Sequence, residues 1–417
     1  MPENFHIDMP EAVRNIIHTI EEHGFKAYAV GGCIRDSILG RNPDDWDITT
    51  SAVPSQIKTF FKRTVDTGIA HGTVTIMIDK TGYEVTTYRI DGEYEDGRHP
   101  KSVEFSDRLV DDLCRRDFTI NAMAYNDTDG FVDEFKGLDD LDAKIIRCVG
   151  EPELRFTEDA LRMMRAIRFS AQLGFTIDEA TWNAIKKLSP SISKISMERV
   201  HVELGKTLMS AHPDYVAQYS EAGLFAPILP VIDNALKSRY KRKILATLQH
   251  TPDNIYLRYA ALFITSTPDE AAKTLRALKL DNKTVNTVSK LVELSKMDIE
   301  ETEPAVRTAL NKYGRDFLPL WHELMMAVIQ ASEDITGISN PAKVKHLLTL
   351  KRLATDILAR GDCFTIKDLD ISGNDLIEYG LQGHEIGETL KSLLDIVIEN
   401  PKLNDKATLI AMIEHIK

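Results

Sequence analysis

The sequence changes character near residue 107, and this change limits the folds that the chain can adopt. Before it, short segments rich in β-branched and aromatic residues are separated by turn residues, which predicts β-strands. The clearest are KAYAVGG, WDITT, GTVTIMID and YEVTTYRI, and an amphipathic helix over residues 10–24 precedes them. After residue 107 nearly every segment carries apolar residues at helical spacing, with short breaks at proline or glycine. The sequence therefore predicts an α+β protein, with a mixed α/β head and a long all-α remainder.

The composition favours a soluble, cytoplasmic protein. The segment MPENFHIDMPEAVRNIIHTI carries early acidic residues and does not resemble a signal peptide, and no stretch approaches the ~20 apolar residues that span a membrane. The four cysteines are scattered without C-x-x-C spacing, which argues against a zinc site or a disulfide framework. The net charge of −13 disfavours a general polyanion binder, so nucleic acid would have to bind to cations gathered on one surface.

The segment VGGCIRDSILGRNPDDWDITTSA combines residue types that bind metal ions and phosphate. If DWDITT forms a strand, Asp45 and Asp47 point to the same face, and two carboxylates held together need a cation between them. Such oxygen ligands suit Mg²⁺, which takes one or two carboxylates plus substrate phosphates. Gly31 and Gly32 permit a close approach of backbone N–H groups to phosphates, and Arg35 would add a charge-assisted contact. The pattern predicts a metal–nucleotide site for phosphoryl-type transfer.

The segment TEDALRMMRAIRFSAQLG predicts a helix that begins near Thr157 and ends at a glycine. Asp159 and Arg162 are three residues apart and would share one helix face, which Arg165 extends. The ordinary interpretation is an ion pair on a solvated face. The alternative is a protein template for bases, in which the aspartate accepts from the amino group of cytosine or adenine and the arginine donates to their acceptors. Uracil and guanine would leave these buried groups unsatisfied, so C and A would be selected.

Five motifs together resemble a known family. The segment GGCIRDSILGRNPDDWDIT is similar to the first signature of the class II tRNA nucleotidyltransferases (CCA-adding enzymes) and bacterial poly(A) polymerases, a branch of the polymerase-β-like nucleotidyltransferases. The other four motifs are RRDFTINAMAY, DEFKGLDDL, EDALRMMRAIRF and SMERVHVELGKTL. They follow the family's order and spacing within about residues 25–210.

The resemblance implies an elongated protein of four parts. These are a palm-like nucleotidyltransferase head over residues 1–142, a helical neck for base recognition over 143–208, a helical body over 209–325 and a helical, tRNA-binding tail over 326–417. The implied reaction is template-independent addition of CCA to the 3′ end of tRNA, with CTP and ATP as substrates and pyrophosphate as product. The implied partners are the acceptor end and elbow of tRNA together with CTP and ATP; no protein partner is implied.

The resemblance also assigns roles to residues by motif position. Asp45 and Asp47 would be catalytic ligands of two Mg²⁺ ions. Glu84, on a later strand, is open between a third catalytic carboxylate near the metals and a structural salt bridge. Asp159 and Arg162 would read the base, and Arg116 would reach the ribose or a phosphate. The full nucleotide-binding set would be Gly31, Gly32, Arg35, Arg116, Asp117, Asn121, Asp159, Arg162, Arg165 and Arg168.

Other segments have two interpretations each. RIDGEYEDGRHPKSVEF, residues 89–105, is either a linker or the element that the family needs for adding the final A. ISGNDLIEYGLQGHEIGETL either holds a backbone phosphate at Gly383 and Gly387 or contains two helix caps. LKSRYKRKI and KVKHLLTLKR concentrate cations either on solvated helix faces or on the surface for tRNA. YLRYAALFITSTPDEA lacks the His-Asp pair of those relatives that carry a phosphohydrolase domain, so no phosphatase activity is expected.

Three alternatives to CCA addition follow from the same residues. An A-only-adding enzyme or a poly(A) polymerase would share every motif, although this acidic chain lacks basic extensions for generic RNA. A metal-dependent glycosyltransferase also uses an Asp-x-Asp pair but leaves Asp159, Arg162 and RRDFTINA unexplained. A non-catalytic helical RNA-binding scaffold conflicts with the intact carboxylates of the head.

Overall fold

The structure, a computed structural model, describes residues 6–92 and 103–416 of the chain. It divides into two compact units, Met1–Pro230 and Val231–Lys417. The first unit combines a sheet with helices, and the described part of the second unit is built from helices. The predicted α+β class, with a mixed head before an all-α remainder, is confirmed apart from two short strands beyond residue 142. The division into four parts stays a prediction.

The strands all belong to the first unit. Seven of them form one sheet in the order β3-β4-β5-β2-β1-β8-β9, in which β2 and β5 run parallel and the other neighbours antiparallel. The pairs β6–β7 and β10–β11 are separate, the first antiparallel and the second parallel. The strands are β1 (Ala27–Val30), β2 (Ile48–Thr50), β3 (Thr64–Gly68), β4 (Thr73–Ile78), β5 (Thr81–Thr87), β6 (Arg89–Asp91), β7 (Val103–Phe105), β8 (Ala124–Asn126), β9 (Gly130–Val132), β10 (Ile145–Ile146) and β11 (Thr176–Ile177).

Helices cover the sheet and continue beyond it. In the first unit they are α1 (Glu11–Glu22), α2 (Gly32–Ile38), α3 (Pro54–Phe60), α4 (Leu109–Cys114), α5 (Gly137–Asp142), α6 (Pro152–Glu158), α7 (Leu161–Leu173), α8 (Glu179–Leu188), α9 (Met197–Leu208) and α10 (Ala217–Glu221). In the second unit they are α11 (Pro230–Lys237), α12 (Lys241–His250), α13 (Ile255–Leu262), α14 (Pro268–Ala277), α15 (Asn282–Leu294), α16 (Glu303–Tyr313), α17 (Phe317–Thr336), α18 (Pro341–Arg360), α19 (Gly373–Glu378), α20 (His384–Glu399) and α21 (Lys406–Ile416). None of these described helices is long and apolar enough to cross a membrane.

The core of the first unit forms around β1, the central strand. All four residues of β1 are buried, because the strand has neighbours on both edges and α1 packs against it. The buried side of α1 carries Val13, Ile16, Ile17 and Ile20 at helical spacing, as the sequence pattern predicted. The chain leaves α1 through Gly24 at a positive φ of 85°, which confirms the predicted end of this helix.

Two predicted element boundaries are wrong. The WDITT strand begins only at Ile48, after a bend at Asp44, so Asp45 and Asp47 lie in the segment that leads into β2. The helix predicted from Thr157 is two helices, since Asp159 adopts an extended conformation between α6 and α7 (φ −142°, ψ 105°). The Asp159 carboxylate accepts a hydrogen bond from the N–H of Leu161 at 3.0 Å and so caps the start of α7.

The apolar stripe predicted for this helix is confirmed. Ala160, Met164, Ile167 and Ala171 are all buried, and α7 ends at Gly174 with a positive φ of 72°. The periodicity was therefore a correct guide to the buried face of α7, even though the helix begins later than predicted.

Candidate active site

Three carboxylates lie near the beginning of β2 and the middle of β5. Ile48 lies opposite Val85 in the parallel register, so Asp47 and Glu84, one residue earlier on each segment, are neighbours. Desolvation raises the pKa of Glu84, and the charges of Asp47 and Asp45 raise it further. Desolvation also raises the pKa of Asp47, because protein atoms displace water from its carboxylate although the residue remains exposed. These mutual effects place the three acids within electrostatic range of one another.

This carboxylate group suits a divalent cation that is completed by its substrate. Over the described ranges, no group of three or more His, Cys, Asp or Glu residues is arranged to hold a metal ion by itself. Asp45 and Asp47 nevertheless offer oxygen ligands only. Desolvation is the main cause of the raised pKa of Asp47 and the charge of Asp45 adds to it, and a bound cation would offset both effects. Mg²⁺ commonly binds through one or two carboxylates plus substrate phosphates, so this donor set fits Mg²⁺.

Glu84 was open between two roles. In the part of the chain that the structure describes it forms no ion pair, and the charges that raise its pKa are those of the two aspartates. Among the described residues Glu84 therefore forms no structural salt bridge, and it lies beside Asp47.

Gly31 lets an arginine approach the backbone beside the carboxylates. Gly31 precedes α2 with a positive φ of 86°, and a Cβ atom there would lie 2.8 Å from Nη1 of Arg116. Only glycine meets both conditions. The Arg116 charge acts on Asp47 and partly offsets the rise in its pKa. The Nε atom of Arg116 is buried and has no hydrogen-bond partner among the described residues, so this guanidinium retains a donor for a ligand.

Asp112 holds Arg116 from the other side, and sequence reasoning missed it. Its carboxylate is fully buried and accepts hydrogen bonds from Arg115 at 2.5 Å, from Thr49 at 3.1 Å and from Arg116 at 3.3 Å. Burial alone would raise the pKa of Asp112, but the two guanidiniums outweigh it and the pKa is lowered. The available signal was the spacing in DDLCRR, where one aspartate precedes the two arginines by three and four residues.

A chain of hydrogen bonds joins the first, second and fourth motifs. Arg35 donates to Oδ1 of Asn121 at 2.6 Å, and Asn121 donates to Oδ1 of Asp117 at 3.1 Å. Arg165 donates to Oδ2 of Asp117 at 2.7 Å. Arg35, Asn121 and Asp117 are all buried. Burial opposes the charge on Asp117, but Arg165 and the bond from Asn121 prevail and lower its pKa. The structure thus brings these predicted residues together as one internal network.

Phe169 is a second residue that sequence reasoning missed. Its ring is buried, and the guanidiniums of Arg35, Arg165 and Arg168 lie 5.0, 5.3 and 3.9 Å from its centroid. Arg168 is buried and donates to Glu203 of α9 at 2.6 Å. In this structure Arg168 therefore joins α7 to α9 rather than facing solvent.

The predicted base-reading pair does not form one surface of one helix, since the chain bends at Asp159. No side-chain hydrogen bond or ion pair joins Asp159 to Arg162 within the described segments. Arg199 of α9 instead donates to both oxygens of Asp159, at 2.7 and 3.3 Å. Arg162 donates to Glu158 at 2.6 Å and to the backbone oxygen of Arg115 at 2.8 Å. The ordinary interpretation, an ion pair between Asp159 and Arg162, is therefore not found among the described residues, because Arg199 and Glu158 occupy the two groups. The role of the two residues in base recognition stays a prediction.

The remaining predicted segments have mixed outcomes. Residues 89–105 begin in β6 and end in β7, which pair with each other, and their middle part, 93–102, lies outside the described residues. The interpretation with two helix caps holds for one of the two glycines, because Gly383 is the N-cap residue of α20 while Gly387 lies inside that helix. In the first cationic segment Lys237 pairs with Asp233, and in the second Arg352 pairs with Asp356. The charges of Lys237 and Arg352 are therefore partly neutralised by an aspartate on the same helix.

Comparison with known proteins assigns the chain to a family. Residues 27–147 match the "Poly A polymerase head domain", residues 174–236 the "Probable RNA and SrmB- binding site of polymerase A" and residues 254–413 the tRNA nucleotidyltransferase domain 2. A CCA-adding enzyme of Pediococcus pentosaceus is 34% identical over 98% of both chains, and one of Limosilactobacillus fermentum is 37% identical over 96% of this chain and 95% of its own. The solved structure of the Bacillus stearothermophilus CCA-adding enzyme with CTP superimposes with a TM-score of 0.75, at 31% identity and 97% coverage of both chains. The chain therefore belongs to the family of the CCA-adding enzymes, the tRNA nucleotidyltransferases.

Proposed function

We propose that this protein adds CCA to the 3′ end of tRNA, using CTP and ATP and releasing pyrophosphate. The observation that carries the proposal is the meeting of Asp45, Asp47 and Glu84 beside Gly31 and Arg116, since acids for a metal ion and donors for phosphates then share one place. The relatives that match along the whole chain bear the name of this activity, and the Bacillus stearothermophilus structure contains CTP.

Some residues of the site would bind the metal ion, and others would bind the phosphates. Asp45 and Asp47 hold Mg²⁺, with Glu84 beside them as a third acid. When bound, Mg²⁺ lowers the pKa of the attacking 3′-hydroxyl and neutralises charge that develops on the α-phosphate. The Nε of Arg116, which has no partner among the described residues, would help to position the triphosphate next to the carboxylates. The backbone N–H of Gly31 is already donated to the carbonyl oxygen of Met123 at 3.1 Å, so Gly31 contributes space for Arg116 rather than a donor.

Base choice would rest on Asp159 and Arg162. Asp159 accepts from the amino group of cytosine or adenine, and Arg162 donates to the ring and carbonyl acceptors. Both groups already have protein partners, so the base exchanges with Arg199 on Asp159 and with Glu158 on Arg162, or shares them. A base with the opposite donor pattern leaves two buried groups unsatisfied, which is a strong penalty.

The tRNA would use the helical remainder. The cations of α12 and of α18 lie on two helices of the second unit, and we propose that these carry the contacts to the tRNA backbone. In an acidic chain such contacts give modest affinity that depends strongly on salt.

The decisive assay uses purified protein, Mg²⁺ and tRNA transcripts that end before CCA, after C or after CC. Each transcript is offered CTP, ATP or both, and the products are sized. Addition of C, C and A followed by a stop is the expected result. Growth of only the CC-ending transcript with ATP would indicate an A-only enzyme, and long A-tails on any RNA would indicate a poly(A) polymerase. Absence of incorporation would overturn the proposal.

The metal assignment has its own test in a matched pair of variants. Asp45→Asn should lower incorporation at least ~10²-fold, because it removes a metal ligand from the reacting phosphate. Asp44→Asn is the control, since it makes the same chemical change at the neighbouring exposed residue. Binding of tRNA, measured by filter retention, should differ little among the three proteins. Retained activity in Asp45→Asn would exclude Asp45 as a metal ligand.

A further inference from the structure

The second unit contains a cavity of about 550 Å³ that is lined by none of the residues assigned to the metal ion or the nucleotide. It lies between α12, α17 and α18 and the segment that follows α15, all of which belong to this unit. Its volume falls within the range of ~300–1,000 Å³ that is typical of small-molecule sites. The cavity therefore has room for an organic ligand rather than for water alone.

The inner wall of the cavity is apolar. Trp321 is buried there, and its indole N–H donates to the backbone oxygen of Leu294 at 3.1 Å. This bond satisfies the one polar atom of the ring, so the face of the indole is a purely apolar surface. Met325, Val328 and Leu347 line the same wall. A ligand that fills this space gains by burying an apolar body.

Two lysines at the cavity are without partners. Lys243 of α12 and Lys343 of α18 line it, and neither ammonium group has a hydrogen bond or an ion pair in the described portion of the chain. The other cations at the wall are engaged: Lys296 donates to the backbone oxygen of Ser266, and His346 contacts Glu301 at 2.9 Å. In a chain with 64 acidic and 51 basic residues, two exposed, unpaired lysines at a cavity with an apolar wall favour an anion.

One acidic residue also lines the cavity and must be taken into account. Asp298 is exposed, and one of its oxygens lies 3.6 Å from Nε2 of His346. The carboxylate of Asp298 therefore has the imidazole of His346 as a neighbour, whereas Lys243 and Lys343 form no ion pair with a described carboxylate. The balance of charge at the cavity favours an acidic ligand.

We propose that this cavity binds an anionic amphiphile, a small molecule with an apolar body and one acidic group. The body packs on Trp321 and Met325, and the acidic group pairs with Lys243 and Lys343. A medium-chain fatty acid has this chemistry, and its flexible chain adapts to a cavity formed by three helices. Lys243 and Lys343 belong to α12 and α18, whose cations are proposed above to contact tRNA, so the test measures binding of the ligand to the protein without tRNA and requires no enzyme activity.

The first experiment titrates the full-length protein with decanoate by calorimetry. One decanoate should bind per chain with saturation, and decan-1-ol, which has the same chain without the charge, should bind at least ~10-fold more weakly. Quenching or enhancement of Trp321 fluorescence in a Trp46→Phe/Trp182→Phe background should follow the same curve. Equal affinity for the alcohol, a non-saturating titration or an absence of heat and fluorescence change would each overturn the proposal.

The second experiment tests the two lysines against a matched lysine. Lys243→Glu/Lys343→Glu should weaken decanoate binding at least ~10-fold, since it replaces attraction by repulsion. Lys345→Glu, an exposed lysine of the same helix α18 that does not line the cavity, should change the affinity by no more than about twofold. Val328→Phe narrows the cavity and should weaken binding while circular dichroism confirms an intact helical fold. Unchanged affinity in either the double variant or Val328→Phe would contradict the assignment.

Discussion

Arginine–carboxylate pairs hold the candidate active site together at the scale of single residues. Each pair joins segments that are far apart in sequence or positions a group that would face the nucleotide. Because these groups are largely buried, removal of one partner leaves the other charge without compensation. The pairs are Arg116–Asp112, Arg162–Glu158, Arg165–Asp117, Arg168–Glu203 and Arg199–Asp159. Substitutions in this set should therefore affect either nucleotide choice or stability, depending on which partner faces the substrate.

Arg199 should govern nucleotide choice through Asp159. Arg199→Ala removes both guanidinium contacts of Asp159 and leaves the N–H of Leu161 on Oδ1, so the carboxylate is held less firmly in its orientation. The ratio of kcat/KM for CTP to that for UTP should fall by about tenfold or more, while the KM for tRNA stays nearly constant. Steady-state kinetics with each nucleotide measures this ratio.

Two further variants define the role of Arg199. Arg199→Lys keeps the charge without the two-pronged contact and should recover part of the selectivity. Lys206→Ala, at an exposed position of the same helix α9, should leave the ratio unchanged. A ratio in Arg199→Ala equal to that of the unmodified protein would show that Asp159 is oriented without Arg199.

Asp117 should make the stability of the first unit depend on pH. Its pKa in the folded protein is lowered by Arg165 against the effect of burial. The stabilisation is thus fully present above the unfolded carboxyl pKa of ~3.9 and is lost as pH falls toward the lowered folded value. Asp117→Asn should destabilise by about 3 kcal/mol at pH 7, because Arg165 is left unpaired.

Urea unfolding at several pH values measures this effect. The difference in free energy of unfolding between the unmodified protein and Asp117→Asn should shrink as the pH is lowered from about 5 to about 3. Asp44→Asn, at an exposed site, serves as the reference substitution. A difference that is independent of pH would show that the charge of Asp117 does not contribute.

At the scale of elements, the start of α5 is tightly constrained by hydrogen bonds and by close packing. Asp133 accepts hydrogen bonds from the N–H groups of Gly137 and Leu138, at 2.7 and 2.9 Å. A Cβ atom on Gly137 would lie 2.3 Å from the backbone oxygen of Thr119 and 2.8 Å from Met123. The third motif therefore requires glycine for space, because α5 is pressed against the segment of the second motif.

Gly137→Ala should destabilise the protein by roughly 1–3 kcal/mol through overpacking. Gly387→Ala is the contrasting substitution: it lies inside α20, and a Cβ there meets nothing within 4 Å. It should be neutral or stabilising by up to ~1 kcal/mol, because alanine favours the helix. Thermal and urea unfolding of both variants measure the contrast. Equal effects of the two substitutions would refute the steric explanation.

Local patterns in the sequence predicted the elements but not every contact between them. The apolar spacing gave the buried faces of α1 and α7, since burial on one side of a helix repeats with its turn. The sequence predicts Asp159 inside a helix, because acidic residues are common in the first turn of a helix. The structure shows instead that the chain bends at Asp159. Glu84 reaches Asp47 through the parallel β2–β5 register, and Arg199 reaches Asp159 through packing of α9 on α7. Neither contact has a local signal.

On the scale of the whole molecule, the second unit has a core of its own. Cys363, Leu376, Leu393, Val397 and Leu409 are buried together in one apolar cluster. The fully buried Arg307 is satisfied inside the same unit by the backbone oxygen of Ile398 at 2.6 Å and by Asp362 at 2.9 Å. Apolar burial and satisfied buried charge are both provided within residues 231–417.

Residues 231–417 should therefore fold as a separate protein. Circular dichroism should show a predominantly helical spectrum, and urea should unfold the fragment in one cooperative transition. Arg307→Met should reduce the stability of the fragment, because the carbonyl of Ile398 loses its side-chain donor and Asp362 keeps only the contacts from Arg360. A fragment with little helix or with gradual unfolding would show that the core of this unit is not sufficient.

If Asp159 and Arg162 select the base as proposed, the partners that they already have would make this selection a competition inside the protein. Arg199 and Glu158 belong to the same chain as Asp159 and Arg162, so they compete with every incoming base for these two groups. Their effective concentration is fixed and does not fall on dilution. A base with the matching donor pattern would replace the hydrogen bonds that Asp159 and Arg162 lose. A mismatched base would break the same two internal pairs and form fewer hydrogen bonds in their place. The protein's own side chains would then close again and expel it. Accuracy in such a site depends less on tight binding of the correct nucleotide than on how quickly the resting arrangement is restored.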